Sequence, residues 1–171
     1  MDLRSFLDKS GCRYAWSRHG DAFTAHSLAQ REHVPANHVI KPVLVSIDGE
    51  FVLCALPATH RVDLSLLQME LGAEETRLAN EQELQSLCCD CELGAEPPIG
   101  WLFGLPTFMD ESLFDDGQVT FQAGNHREAV TMSFMDYFRL AKPAVGHFGQ
   151  DASRAIRGSA TAEMTNAYPG H

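Results

Sequence analysis

Three features of the sequence predict one soluble α+β domain. Apolar and β-branched runs from Val39 to Leu56 fold back at Asp48-Gly49, the pattern of two strands joined by a tight turn. Segments on either side carry apolar residues at intervals of three and four, the spacing of amphipathic helices. At 171 residues the chain is long enough to bury a core without disulfides or a structural metal.

Leu3, Phe6 and Leu7 have helical spacing, Gly11 is a natural stop, and Tyr14-Ala15-Trp16 reads as a strand. Thr24 is placed to cap a short helix carrying Ala25, Leu28 and Ala29, with Pro35 beyond its end. The hairpin follows, and its nearly continuous apolar runs predict a central position covered on both faces. Leu64, Leu67 and Leu71 predict a helix between Asp63 as cap and Gly72 as stop. Asn80 and Glu83 have capping-box spacing, and the stripe Leu84, Leu87, Cys88, Cys91 continues from them. Trp101-Leu102-Phe103, Thr107-Phe108-Met109 and Val119-Thr120-Phe121 read as short strands. Asn125 and Glu128 repeat the capping-box spacing ahead of Val130, Phe134, Tyr137, Phe138 and Ala141, which predicts a last helix stopped by Pro143. Residues 1–148 are expected to form the domain, and 149–171, small and polar, a flexible or loosely docked tail.

Composition narrows function. A net charge of −10 argues against broad electrostatic capture of nucleic acid and leaves room for recognition of one end or one nucleotide. No run approaches a membrane span, and Met1 to Phe6 lacks the basic region and long apolar stretch of a secretory signal, so a cytoplasmic location is the default expectation. Five cysteines, three of them in Cys88-Cys89-Asp90-Cys91, do not form a disulfide framework. Reduced, buried thiols are the simpler reading of that cluster; a metal or redox role lacks a second well-spaced pair. No metal and no cofactor is expected.

Nucleotide-binding glycine fingerprints, phosphate loops, His-Glu-x-x-His pairs and nucleophile elbows are absent. Asp110-Glu111 and Asp115-Asp116 read as a solvated face rather than as paired catalytic carboxylates, because neighbours in sequence are weak evidence for such a pair. The segment Gly94-Ala95-Glu96-Pro97-Pro98-Ile99-Gly100 stands out, because glycines let backbone approach a ligand while prolines restrict the chain. It is either a structural turn or a loop that orients a carbonyl. Lys41, a lone charge between Val39-Ile40 and Val43-Leu44-Val45, either snorkels to solvent or serves a pocket.

Taken in order, Thr24-Ala25-His26-Ser27, Val39 to Val45, Gly94 to Gly100, the Asp110 segment and Gly124 resemble the YbaK/prolyl-tRNA synthetase-associated domain family over Leu3 to Leu140. The resemblance implies a curved, mixed, largely antiparallel sheet surrounded by helices. It also implies a deacylase that hydrolyses the ester of a mischarged tRNA in trans. Lys41 matches the lysine on the terminal-adenosine or phosphate side, Gly94 to Gly100 the loop that holds the aminoacyl carbonyl, and Gly124 a later pocket loop. Thr24, His60, Ala95, Glu96, Pro97, Pro98, Ile99 and Asp110 are expected around the substrate. His126 is added for its place beside Gly124. Pro42 and Ile99 depart from the family's usual threonine and phenylalanine, which leaves the accepted amino acid open.

On this basis Lys41, Gly94 and Gly100 are the expected catalytic positions. Water attacks the ester, loop N–H groups stabilise the oxyanion, and a substrate ribose hydroxyl assists. The expected partners are the aminoacylated acceptor end of tRNA and an aminoacyl-tRNA synthetase, with no membrane. A noncatalytic aminoacyl-adenosine, tRNA-end or protein-binding module is the alternative, with a small-ester hydrolase further off.

Overall fold

Asp2 opens the first helix of the computed structural model, which describes residues 2–115 and 117–154. Its carboxylate accepts from the N–H groups of Arg4 and Ser5, and Gly11, at φ 71°, closes the helix in the left-handed conformation. From there the elements run α1 (Leu3–Ser10), β1 (Tyr14–Arg18), α2 (Ala25–Glu32), β2 (Ile40–Ile47), β3 (Glu50–Pro57), β4 (His60–Val62) and α3 (Leu64–Leu71). They continue with β5 (Thr76–Leu78), α4 (Glu81–Leu87), β6 (Thr107–Asp110), β7 (Gln118–Gln122), β8 (Glu128–Ser133), α5 (Phe134–Ala141), β9 (Ala144–Gly146) and β10 (Gly149–Asp151).

The hairpin is β2 and β3, in register from Ile40 opposite Pro57 to Ile47 opposite Glu50, with Asp48 and Gly49 both at positive φ. It forms the middle of a five-stranded sheet ordered β5-β2-β3-β6-β9, antiparallel on the β5 side and parallel from β3 to β9. An antiparallel sheet, β1-β8-β7, is joined to it by a bridge from Val39 to Thr120, and β10 pairs with β4 in a two-stranded ribbon. The sheets are thus mixed and mostly antiparallel, with helices around them.

The main core packs Leu3 and Leu7 of α1 and Phe134 and Tyr137 of α5 against Phe121, Val130, Met132 and Met109. A second cluster lies under α2, where Leu28 and Ala29 meet Val39, Ala58 and Ala129. A third sets Leu67 of α3 against Val45, Cys54, Phe108 and Phe148. The tyrosine hydroxyl at the centre is not orphaned: Tyr137 donates to the carbonyl of Pro98 at 2.8 Å, which ties α5 to the Gly/Pro segment.

Three expectations need correction. Trp101-Leu102-Phe103 is a 3-10 turn between Gly100 and Gly104, not a strand, and Trp101 donates from its indole to Leu140 O at 2.7 Å. The last helix begins at Phe134, capped by Ser133; Glu128–Ser133 is instead the central strand between β1 and β7. Asn125 and Glu128 do touch, side chain to side chain at 2.9 Å, but in a turn entering that strand. Finally, α4 stops at Leu87, so Cys91 lies beyond its stripe. Within the expected tail, Gly149–Asp151 is β10 and Ala152 N–H donates to Thr59 O at 3.0 Å, while residues 155–171 lie outside the described residues.

Candidate active site

β5 pairs with β2 only over Val45–Ile47, so the first half of β2 has a strand partner on one side alone. Pro42, which has no N–H to give a second ladder, falls in that open stretch. The Gly94 segment comes up against it, and two small hollows share Pro42 and Gly94 as common wall. One, about 170 Å³, is lined by Lys41, Gln122, Val39 and Ala25. The other, about 200 Å³, is lined by Val43, Leu44, Leu53, Leu84 and Glu96. Together they make a two-part cleft, one part with Lys41 in its lining, the other mostly apolar with Glu96 in its lining.

In the first half, Lys41 is half-buried, and burial, then the charge of Arg61, draws its ammonium below the usual lysine value. No salt bridge neutralises it among the described residues. Ala25 sets the positive end of α2 on the same hollow. Thr24 does not reach in: its hydroxyl is committed to the capping box with Ser27, accepting from the Ser27 N–H at 3.0 Å. Gln122, unmarked by the sequence reasoning, donates to Ala22 O, while its buried Oε1 has no partner among the described residues. The sequence signal was a polar residue ending the apolar run of β7 just before Gly124.

The second half is built by the Gly/Pro loop. Gly94, at φ 84°, gives its N–H to Glu96 Oε1 at 2.9 Å. Glu96 is only 3% exposed, and burial pushes its carboxyl up although the N–H groups of Glu96 itself and Gly94 pull it down. Gly124, at φ 95°, clamps the loop by donating to Ala95 O at 2.8 Å and accepting from Glu92 N at 2.9 Å. His126 pins the far side, its Nδ1 3.1 Å from Ala22 O and its Nε2 3.0 Å from Leu93 O. A neutral ring donates to one of those carbonyls; an imidazolium serves both.

The expected oxyanion hole does not stand ready in this loop. Ala95 N–H donates to Glu92 O, Ile99 N–H to Pro97 O at 2.8 Å, and Gly100 N–H to Thr107 Oγ1 at 2.8 Å, while Pro97 and Pro98 have none. Ile99 and Gly100 are buried in the core rather than on the cleft. Nor does Gly100 adopt positive φ; a Cβ there would lie 2.7 Å from Leu105 O and 2.8 Å from Pro106 O. Close packing, not conformational freedom, requires that glycine. Pro97 faces a separate hollow with Trp16, Cys91 and Gly124.

His60 and Asp110 do not join Lys41 and Gly94. Both line a wider, open groove of about 950 Å³ with Ser112, His147 and Gly149. Asp110 is structural there, accepting from Phe148 N at 2.8 Å, Gly149 N at 2.6 Å and the N–H and hydroxyl of Ser112. Burial pushes its carboxyl up, but the Ser112 hydroxyl and these N–H groups outweigh that and hold it below the usual range. Among the described residues no cluster of three or more His, Cys, Asp and Glu is placed to hold a metal. Burial first, then the charge of Glu96, raises the thiols of Cys88 to about 12 and Cys91 to about 11, far from thiolate nucleophiles. No helix among the described residues is long and apolar enough to cross a membrane.

An aminoacyl-tRNA editing domain profile matches residues 19–140. The Escherichia coli K12 protein named multifunctional Ser/Thr-tRNA deacylase ProXp-y is 32% identical over 155 residues, 88% of this chain and 92% of that one. Proline--tRNA ligase of Halalkalibacterium halodurans is 38% identical over 80 residues, 47% of this chain but 14% of the ligase, so the likeness spans one segment of that much longer protein. Among solved structures, a candidate trans-editing enzyme for prolyl tRNA synthetase superposes with a TM-score of 0.75 at 20% identity, covering 87% of this chain and 95% of that one. A hypothetical protein superposes with a TM-score of 0.77 at 15% identity, covering 88% of this chain and all of the other. At those identities the two structures speak to the fold.

Proposed function

The chain belongs to the aminoacyl-tRNA editing domain family, and from that premise we propose that it removes a misattached amino acid from tRNA in trans, by hydrolysing the ester to the terminal ribose. The observation that carries this reading is the two-part cleft: a cationic hollow and an apolar hollow meeting at Pro42 and Gly94. An aminoacyl ester has the same division. Its nucleotide end suits Lys41 and the N-terminal end of α2, its side chain suits the apolar half, and its carbonyl then lies at the shared wall beside Gly94.

The loop's satisfied hydrogen bonds shape the mechanism. Among the loop's N–H donors, the Glu96 side chain lining the cleft holds its own and, through Oε1 at 2.9 Å, that of Gly94. The ester oxygen takes the place of Glu96 Oε1 on that N–H as the carboxyl turns aside, and the developing oxyanion is stabilised there. Ala95 and Gly124 hold the loop still while this happens. Water attacks the carbonyl carbon; a ribose hydroxyl of the substrate orients it and relays its proton to the departing ribose oxygen. No nucleophilic side chain is required. Lys41 positions the nucleotide end and is not a proton donor.

The relative from E. coli acts, by its name, on Ser- and Thr-tRNA. An apolar hollow of about 200 Å³ takes side chains of that size, and we extend the same substrates to this chain. A synthetase partner is part of the reading only as a source of mischarged tRNA.

The test is release of amino acid from a panel of aminoacyl-tRNAs by purified wild type and Lys41→Ala. Turnover on at least one small aminoacyl ester is expected, with kcat/KM lowered about tenfold or more in Lys41→Ala, chiefly through KM. Binding of charged tRNA without release sinks the deacylase reading in favour of a noncatalytic module. Release from small esters alone favours a general esterase. Equal kinetics for wild type and Lys41→Ala removes the role given to that residue.

A further inference from the structure

Glu96 is a buried acidic residue in the lining of an otherwise apolar hollow. It is 3% exposed, it shares its hollow with Val43, Leu44, Leu53 and Leu84, and although His126 is near enough to act on it through charge, no cation pairs with it at salt-bridge distance among the described residues. Among the described residues, its one hydrogen bond from another residue is to Oε1, from the N–H of Gly94 at 2.9 Å. A carboxyl in such a place costs stability, since transferring it from water is unfavourable unless its oxygens are satisfied. A leucine would fill the space at lower cost. The position therefore calls for a ligand group that donates a hydrogen bond at the far end of a short aliphatic stem.

We infer that Glu96 selects the aminoacyl group by accepting a hydrogen bond from its side-chain hydroxyl. This rests on the deacylase reading above and adds to it the residue that discriminates between substrates. The α-ammonium of the substrate is bonded to the carbon next to the ester and stays at the shared wall by Gly94. What passes that wall into the hollow is the side chain, whose carbons meet Val43, Leu44 and Leu53 and whose hydroxyl meets the carboxyl group. The raised carboxyl, in which burial is the leading cause, suits a neutral partner better than a second charge. An isostere without the hydroxyl leaves the buried group unpaired, the condition under which a site discriminates most strongly. The same carboxyl explains the loop's order: unliganded, it rests on Gly94 N–H, and a bound hydroxyl draws it away and frees that donor for the ester.

The experiment compares seryl and alanyl esters carried on one and the same tRNA, and threonyl against valyl esters likewise, for wild type, Glu96→Gln and Glu96→Asp. The glutamine variant keeps an acceptor for Gly94 N–H; the aspartate variant keeps the charge and withdraws it by one methylene. Wild type is expected to favour seryl over alanyl in kcat/KM by about tenfold or more, and both variants to cut that ratio by a similar factor. Binding of nonhydrolysable seryl- and alanyl-amide analogues of the terminal adenosine to wild type gives a readout that needs no folded variant, with the seryl analogue tighter by about tenfold. Equal wild-type rates or equal analogue binding overturns the inference while leaving the deacylase reading intact. So do variants that slow both esters alike with the ratio unchanged. If wild type releases no amino acid from any charged tRNA, the deacylase reading itself fails, and this inference with it.

Discussion

Asp110 shows how a residue can be conspicuous in sequence for one reason and matter for another. The family resemblance set it beside the substrate, yet its two oxygens are spent on Phe148 N–H, Gly149 N–H and Ser112. Asparagine has one acceptor oxygen, so Asp110→Asn sets an amide NH₂ against one pair of donors. We expect a loss of about 2 kcal/mol in urea unfolding at pH 7. The pH dependence has a definite sign. The folded-state carboxyl is held below its ordinary 3.8, so its contribution is complete above the unfolded-state value and disappears as pH falls through the lower folded-state one. The gap between wild type and Asp110→Asn should narrow on acidification below about pH 4, and a gap constant down to pH 2 would rule out this account. Lys41 and Gly94, which the fold brings to neighbouring hollows, stood out in the sequence as a lone charge in an apolar run and a glycine in a Gly/Pro segment, and Gly124 stood out through the family resemblance. Gln122 was not marked, since a polar residue ending an apolar run does not by itself tell which polar atom ends up buried and unpaired.

Elements repeat that division between local and distant causes. Asn80 accepts from Glu83 N–H at 2.8 Å and Glu83 returns the bond to Asn80 N–H at 2.9 Å, as the spacing promised. Asn80→Ala should lower stability by about 1 kcal/mol in chemical denaturation, and a change below a few tenths would mean α4 is held by packing alone. Caps, turn glycines and the hairpin could be placed from sequence because their chemistry is contained in a few adjacent residues. β8 was mistaken for the first half of a helix because Val130 and Phe134 also fit a period of four. Two strand partners, β1 and β7, decide for the extended form, and those partners are more than a hundred and about ten positions away. β4, β5, β9 and β10 are too short to announce themselves. Each exists because a neighbouring edge accepts it.

For the molecule as a whole, the relevant quantity is a net charge of −10 set against a polyanionic partner. Long-range attraction is weak, so on the proposed reading binding comes from the cleft and not from a broad surface. A plot of log kcat/KM against log salt should therefore be shallow, with a slope of about −1 to −2, corresponding to one or two phosphates neutralised. A slope steeper than about −4 would require an extended contact with the tRNA backbone, which a cleft ending at one lysine does not offer.

The link from Asp110 to Phe148 and Gly149, together with the pairing of β10 on β4, has a consequence for how the chain is made. Strands β4 and β6 leave the ribosome well before β10, and until it follows, Asp110 carries an ionised carboxyl with no N–H group of Phe148 or Gly149 to receive it. The five-stranded sheet can assemble its hairpin early, but the end of β6 stays open until the residues of β10 have followed. Closing that seam thus follows assembly of the hairpin, and a chain stalled before β10 keeps the edge exposed to other chains.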